Sequence, residues 1–202
     1  AVKYTKQELE KLGLDVYLQP VMVPKWERGT QEEAFFTFDD QKIHVNICAL
    51  GGSIGTPSSG IDGEVIEVNG MKALEKLTLK DVKDKIVFLN EPMDPTQIHT
   101  FEAYGNCVNQ RYSGALEAAK LGAKAVVVRS LNLRLDDFPH TGSMTYADME
   151  VGKRIPSVAI STKDAEKLSK LLKEKSELRF HLKTSCKQFD DVQSYNVIAE
   201  MK

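Results

Sequence analysis

The chain lacks most of the features that announce a function. No apolar run approaches the ~20 residues needed to span a bilayer, and 27 basic against 29 acidic residues leave a formal charge of -2. These charges are interspersed, so nothing draws the chain electrostatically to nucleic acid or to an anionic membrane. Cysteine is scarce: Cys48, Cys107 and Cys186 stand far apart and odd in number. That spacing excludes a paired-cysteine metal motif and a disulfide framework, leaving room for one bridge and the redox compartment undecided. Internal repeats and low-complexity linkers are absent as well. At 202 residues, 42% hydrophobic and 28% charged, the composition is that of an ordinary globular chain able to bury a core.

What is present is scaffold. From Ser113 a small-residue helix with Ala115, Ala118 and Ala119 runs to Gly122 and then into Ala125–Val128. Alanines let a helix lie close on a sheet, and glycine takes the left-handed conformation that ends it. The run Val126-Val127-Val128 has no alternation, which predicts a strand covered on both faces. Ser161 followed by Asp164 predicts the capped start of another helix, with Ala165, Leu168, Leu171 and Leu172 facing inward. Further strands are expected at Ile43–Leu50, Gly63–Val68, Lys85–Asn90, Ser157–Ile160 and 177–183, with a short helix near Met71–Leu77. Asp15–Trp26 and Gln31–Phe38 read as a strand pair around the turn at Arg28-Gly29-Thr30. Strands alternating with helices imply a mixed α/β (α+β) sheet with helical cover. Glu91–Arg111 and Asn132–Ile155 are expected as two long loops, beyond the ~12–15 residues that mere connection needs.

The ends carry a separate signal. Val2, Thr5, Leu9 and Leu12 share a helical face closed by Gly13, yet the helix lacks an N-cap. The stretch from Tyr195 to Lys202 reads as a strand with no turn after it. Both ends are expected to be cut through secondary structure, as in a piece of a longer protein.

Candidate chemistry is thin. The glycine-serine loop at 51–60 lacks the Gly-Lys-Ser/Thr ending of a phosphate-binding loop and reads as turn or packing surface. His44, His99, His140 and His181 have no ligand spacing for zinc. Cys107 with His140 would be a thiolate–imidazole pair only if something activated the thiol, and no neighbour in sequence does so. Adjacent acids at Asp136-Asp137 and Asp190-Asp191 point to opposite faces and read as solvated charges. Trp26 reads as a packing residue. On its own residues the chain is a non-catalytic α/β piece.

Several segments, in order along nearly the whole chain, resemble one family. They are Gln19–Gly29, Gly52-Ser53-Ile54-Gly55-Thr56-Pro57, Gly114–Ala123, His140-Thr141-Gly142 and Asp191–Glu200. Together they resemble a protease-associated domain with its flanking borders in the zinc exopeptidases of metallopeptidase family 28. The resemblance implies a β-sandwich-like sheet with flanking helices, plus an N-terminal helix and a C-terminal strand from the neighbouring peptidase domain. It implies borders at 1–29 and 194–202 around a protease-associated domain at 30–193. Two zinc ions and the general base would lie in that peptidase domain, so no catalytic or metal residue carries over. The implied role is lid or wall of the cleft, with the peptidase domain and short peptides as partners. A possible homodimer of the parent enzyme and an extracytoplasmic location follow from the same resemblance. Ser53, Ile54, Gly55 and Thr56, with His140, Thr141, Gly142 and Ser143, are expected to be the working edges. Their backbone N–H groups and the His140 ring suit a peptide terminus or carboxylate, or the two loops only pack against the peptidase domain. A free-standing interaction module and a hydrolase built on Cys107 are the other function classes.

Overall fold

The computed structural model describes residues 1–175 and 177–201. They form two compact units, Arg28–Lys187 and a smaller one of Ala1–Glu27 with the chain from Gln188 onward. In the smaller unit α1 (Val2–Lys11) buries no residue and gives way to Gly13 at φ +81°. There β1 (Asp15–Glu27) pairs with β10 (Lys187–Glu200) in a two-stranded sheet. Lys202, the expected end of the last strand, lies outside the described residues.

This pairing corrects the expected hairpin. The partner of β1 is β10, while β2 (Glu32–Phe38) lies between β3 (Gln41–Val45) and β9 (Arg179–Thr184). The turn after Arg28 is tied to another segment. Ser185 Oγ accepts the N–H groups of Thr30 and Gln31 at 3.1 and 3.0 Å. Gly29, at φ +80°, packs so tightly that a Cβ would stand 2.5 Å from the Ser185 carbonyl oxygen. The turn therefore starts β2 beside the end of β9.

The larger unit is one eight-stranded sheet in the order β3-β2-β9-β5-β6-β7-β8-β4. Its remaining strands are β4 (Ile47–Ala49), β5 (Ile61–Val68), β6 (Ile86–Leu89), β7 (Ala125–Arg129) and β8 (Ser157–Ile160). From β5 to β8 the strands are parallel; the other pairs are antiparallel. Strand β5 serves both halves, pairing with β9 through Ile61–Glu64 and with β6 through Val65–Val68. The expected strand Ile43–Leu50 is broken at Asn46 into β3 and β4, which occupy opposite edges of the sheet. Two residues span at most ~7 Å of chain. A sheet whose two edges are joined by one residue must curl back on itself, which gives the sandwich-like shape.

Every residue of β6, β7 and β8 is buried, as the unalternating Val126–Val128 run predicts. Val87, Leu89, Val126 and Val128 form one core layer with Ala115 and Ala118 of α5 (Gly114–Lys120) and Leu74 of α2 (Met71–Leu74). The expected helix Met71–Leu77 stops at Leu74, and a second short helix, α3 (Leu79–Val82), begins in a Thr78–Asp81 capping box. Helix α6 (Thr162–Glu174) starts as expected, with Ser161 Oγ accepting the Asp164 N–H at 3.0 Å.

The largest correction concerns Glu91–Arg111. Residues Thr100–Tyr112 are a helix, α4, and not a loop. Its sequence TFEAYGNCVNQRY hides the 3.6-residue period because one inward position is an amide. Gln110 is fully buried beside Ala103 and Cys107, and its side chain replaces a backbone partner for Glu91. It accepts the Glu91 N–H at 3.0 Å and donates to the Glu91 carbonyl at 2.6 Å.

Close helix–sheet packing yields a stability test. A Cβ at Gly114 would stand 2.3 Å from Leu89 Cδ1, and Leu89 is fully buried, so its side chain would have to shift within a packed core. Gly114→Ala is expected to lose about 1–3 kcal/mol in urea unfolding through overpacking. Alanine's helix propensity alone would add about 1 kcal/mol, so a stabilised variant would refute the packing account.

Candidate functional site

In α/β sheets ligands often settle beyond the carboxyl ends of parallel strands. On one side of those ends this sheet fills the place with its own polar groups. Arg129, 6% exposed at the end of β7, meets Glu166 Oε1 at 2.6 Å and donates to Asn90 Oδ1 at 3.2 Å. Asn90 Nδ2 and Ser169 Oγ each donate to Glu67 Oε1 at 2.6 Å. The network joins β5, β7, α6 and the residue that follows β6, and satisfies itself; it is a structural clamp.

The two loops singled out in the sequence are brought together. Gly51 forms a parallel bridge with Ser143. Its N–H donates to the Gly142 carbonyl at 2.8 Å, and the Met144 N–H donates to the Gly51 carbonyl at 2.9 Å. Segments about ninety residues apart in the chain thus run side by side.

The Ser53–Thr56 half is held from within. Ser53, 1% exposed, accepts the Ser157 N–H at 2.9 Å through Oγ. Ile54 N–H donates to Tyr146 Oη at 3.1 Å, and that hydroxyl donates to the Ile155 carbonyl at 2.6 Å. Gly55 passes so close to Cys186 that a Cβ would lie 2.8 Å from its carbonyl oxygen. Thr56 N–H donates to the Thr184 carbonyl at 3.1 Å, and Thr56 Oγ1 accepts the Thr184 N–H at the same distance. Polar groups committed in this way are poor receptors for a ligand.

The other half is freer. His140, Thr141 and Ser143 are exposed and Gly142 is half-buried. The His140 N–H donates to Ser130 Oγ at 2.7 Å, and its Nε2 lies 3.8 Å from Asp136 Oδ2. Thr141 Oγ1 donates to the Ala49 carbonyl at 2.9 Å, covering a backbone group at the sheet edge. Asp136 corrects the expectation of a solvated acid: its side chain is 12% exposed and accepts the Phe138 N–H at 3.1 Å, ordering the loop. Asp137 does face solvent, paired with Lys163 at 2.8 Å.

The thiols are unsuited to nucleophilic work. All three are free. Cys107 lies in α4, 2% exposed, with Sγ donating to the Ala103 and Tyr104 carbonyls. Burial, with the Glu91 carboxylate nearby, pushes its pKa up. Burial raises Cys48, Cys186 and the Tyr146 hydroxyl in the same direction. A thiolate needs the opposite shift. Among the described residues no group of three or more His, Cys, Asp or Glu is placed to hold a metal ion. Among the described residues no set of side chains fits the two zinc ions, which the resemblance assigns to the neighbouring peptidase domain.

Sequence reasoning missed Tyr146, which pins the Ser53 loop, and the face of α4 that carries Tyr104 and Arg111. A tyrosine in a polar stretch gave no sign of being 5% exposed.

Two outcomes follow from these bonds. Ser53→Ala strips the buried Ser157 N–H of its acceptor and is expected to cost about 1–3 kcal/mol in denaturant unfolding. The raised pKa values set the alkaline limit. The folded chain holds these protons more tightly, so stability is complete below the unfolded values. It falls as pH rises, from roughly 8.5 for the thiols and 10 for the tyrosine. Melting temperature measured across that range should drop, and Tyr146→Phe should flatten the part above about pH 10.

Comparison with known proteins places this geometry. No family model matches the chain. Carboxypeptidase Q of Xenopus laevis is 41% identical over 202 residues, all of this chain and 40% of that protein. The Homo sapiens protein of the same name is 34% identical over 203 residues, again covering 40% of its length. A solved peptidase M28 precursor from Shewanella amazonensis superposes with a TM-score of 0.89 at 32% identity, covering 98% of this chain and 44% of that one. An aminopeptidase from Aneurinibacillus shares the fold at 17% identity, with a TM-score of 0.64 and 98% of this chain covered. The chain spans about two fifths of the length of the curated relatives it matches. Over that span the chain is similar to an exopeptidase-related domain of metallopeptidase family 28.

Proposed function

We propose that this chain is the non-catalytic protease-associated domain of a zinc-dependent exopeptidase and forms a wall or lid of its peptide cleft. The observation that carries the reading is the meeting of the two loops at the Gly51–Ser143 bridge. One loop is rigidly anchored, and the other presents His140, Thr141 and Ser143 to solvent. A fixed wall with a polar rim is what positioning a short peptide requires. Similarity to carboxypeptidase Q along the whole chain supports the parent activity.

In this reading residues 1–29 and 194–202 are borders of the peptidase domain, and 30–193 is the protease-associated domain. The separate unit formed by both chain ends supports it. The peptidase domain, with two zinc ions, is the partner within the polypeptide, short peptides are the substrates, and the parent enzyme is a homodimer outside the cytoplasm. A free-standing interaction module is the second reading, favoured by the exposed Ile98, Phe101 and Phe138.

The test is His140→Ala in the full-length enzyme. KM for short peptides is expected to rise roughly three- to tenfold with kcat nearly unchanged, the mark of lost uniform binding. Unchanged constants for every short peptide would leave the loops as packing surface and end the wall reading.

A further inference from the structure

Helix α4 ends beside the Gly142 loop, where the Tyr112 carbonyl accepts the Thr145 N–H at 2.8 Å, and it begins at a different surface. Ile98, Phe101, Leu133, Leu135 and Phe138 stand out of the fold there, from 46% exposed at Leu133 to 93% at Ile98. A cavity of about 460 Å³ opens between Phe101 and Leu133, walled also by Met93, Tyr104 and Leu131. Phe138 belongs to the same end of the sheet: its N–H is held by Asp136, whose own N–H donates to Thr162 Oγ1 at the start of α6. At roughly 150–200 Å² for a large apolar side chain, these exposures leave on the order of 600 Å² of apolar surface. The largest patch on a monomer is about 300–600 Å². Each partner in a standard interface gives about 800 Å², rim included.

The adjoining polypeptide leads away from this surface. The larger unit is entered at Arg28 and left at Lys187. Both points lie at the amino ends of the parallel strands, because Ser185 holds the Thr30 and Gln31 amides just past β9, and Leu182 near the end of β9 stands opposite Ile61, the first residue of β5. The patch lies beyond the carboxyl ends of β6 and β7, at the far end of the same sheet. Its flanking charges are mostly spent within the fold. Asp137 pairs with Lys163, Glu166 with Arg129, and Asp94 accepts the Thr96 hydroxyl and N–H at 2.7 and 2.9 Å. Glu102, next to Phe101, and Arg134, between Leu133 and Leu135, are exposed and form no ion pair among the described residues. An apolar centre carrying a free anion and a free cation is self-complementary, as a two-fold contact requires.

We propose that this patch is the surface through which two copies of this chain meet about a two-fold axis, with an apolar side chain of each in the cavity of the other and Glu102 of one copy facing Arg134 of its partner. The inference rests on the homodimer proposed for the parent enzyme and deepens it by naming the surface. A two-fold contact uses the same residues twice, so it matches both the apolar area and both free charges without a foreign partner. The apolar centre supplies the binding, and the facing charges set register and partner choice.

The experiment is analytical sedimentation of the full-length enzyme over a range of concentrations, with variants that melt as the unaltered protein does. The unaltered protein should dimerise with Kd on the order of 1 μM or tighter. Glu102→Arg alone and Arg134→Glu alone each set like charges against one another on both sides of the axis, and each should weaken the dimer at least about tenfold. An equimolar mixture of these two variants should regain it, because each copy then supplies the charge that the other lacks. Phe101→Ala at the cavity should raise Kd about tenfold or more. An unaltered protein that stays monomeric, a dimer that every variant retains, or a mixture no tighter than its components would each overturn the proposal. A dimer retained by every variant removes this surface and leaves the homodimer standing, and the kinetics of His140→Ala read the cleft wall separately.

Discussion

One residue, Asn46, joins the two edges of an eight-stranded sheet, and most of the larger unit follows from that join. The chain leaves β3 on one edge and starts β4 on the other with no length to spare. The curl is then fastened by charge. Glu32, at the start of β2, accepts the Ala49 N–H at 2.7 Å, and Arg28 donates to the Ala49 carbonyl at 3.3 Å. The two side chains form an ion pair at 3.6 Å and together cover the last backbone groups of β4. An edge strand left open invites pairing with another chain. Here both groups of the terminal residue are occupied, and Thr141 occupies the carbonyl a second time.

Closure also decides where the loops go. Leaving β4 beside β8, the chain bonds through the Leu50 N–H to the Ser157 carbonyl at 3.1 Å, which puts Gly51 within reach of Ser143. Ser53 and Tyr146 then hold the next turn by side chains buried at 1% and 5% exposure. Rigidity on one side and exposure on the other come from the same arrangement. The anchored half spends its donors and acceptors on the fold, and the other half keeps His140, Thr141 and Ser143 in water.

Sequence and structure agree where local chemistry and packing point the same way. The α5–β7 unit was legible because small residues, a left-handed glycine and an unalternating valine run all describe one helix lying on one buried strand. Ser161 and Asp164 marked α6 for the same reason. The pairing of β1 was not legible, because the turn at Arg28-Gly29-Thr30 has hairpin chemistry, and Ser185, about 155 residues away, overrides it. Helix α4 escaped because a buried Gln110 stands where a hydrophobic residue would have marked the face. Both loops of the candidate site were visible; helix α4, whose Arg111 packs against Gly142, was lost with its marking residue.

That loss shows how far local appearance and structural role can part. The glycine-serine loop looks like a site and is a fastening, with Ser53, Ile54 and Thr56 all bonded to backbone or tyrosine. The helix reads as a polar connection, yet it buries Ala103, Cys107 and Gln110 and lines an apolar cavity with Phe101 and Tyr104. Burial without a partner is costly, and a fold keeps few such groups. Arg129 shows how this chain treats a buried guanidinium when only the fold is at stake: it supplies Glu166 and Asn90. Arg111 has a tyrosine ring, one hydroxyl and a glycine backbone instead. Of these two, Arg129 is held by a carboxylate and an amide, and Arg111 by an aromatic ring and packed backbone.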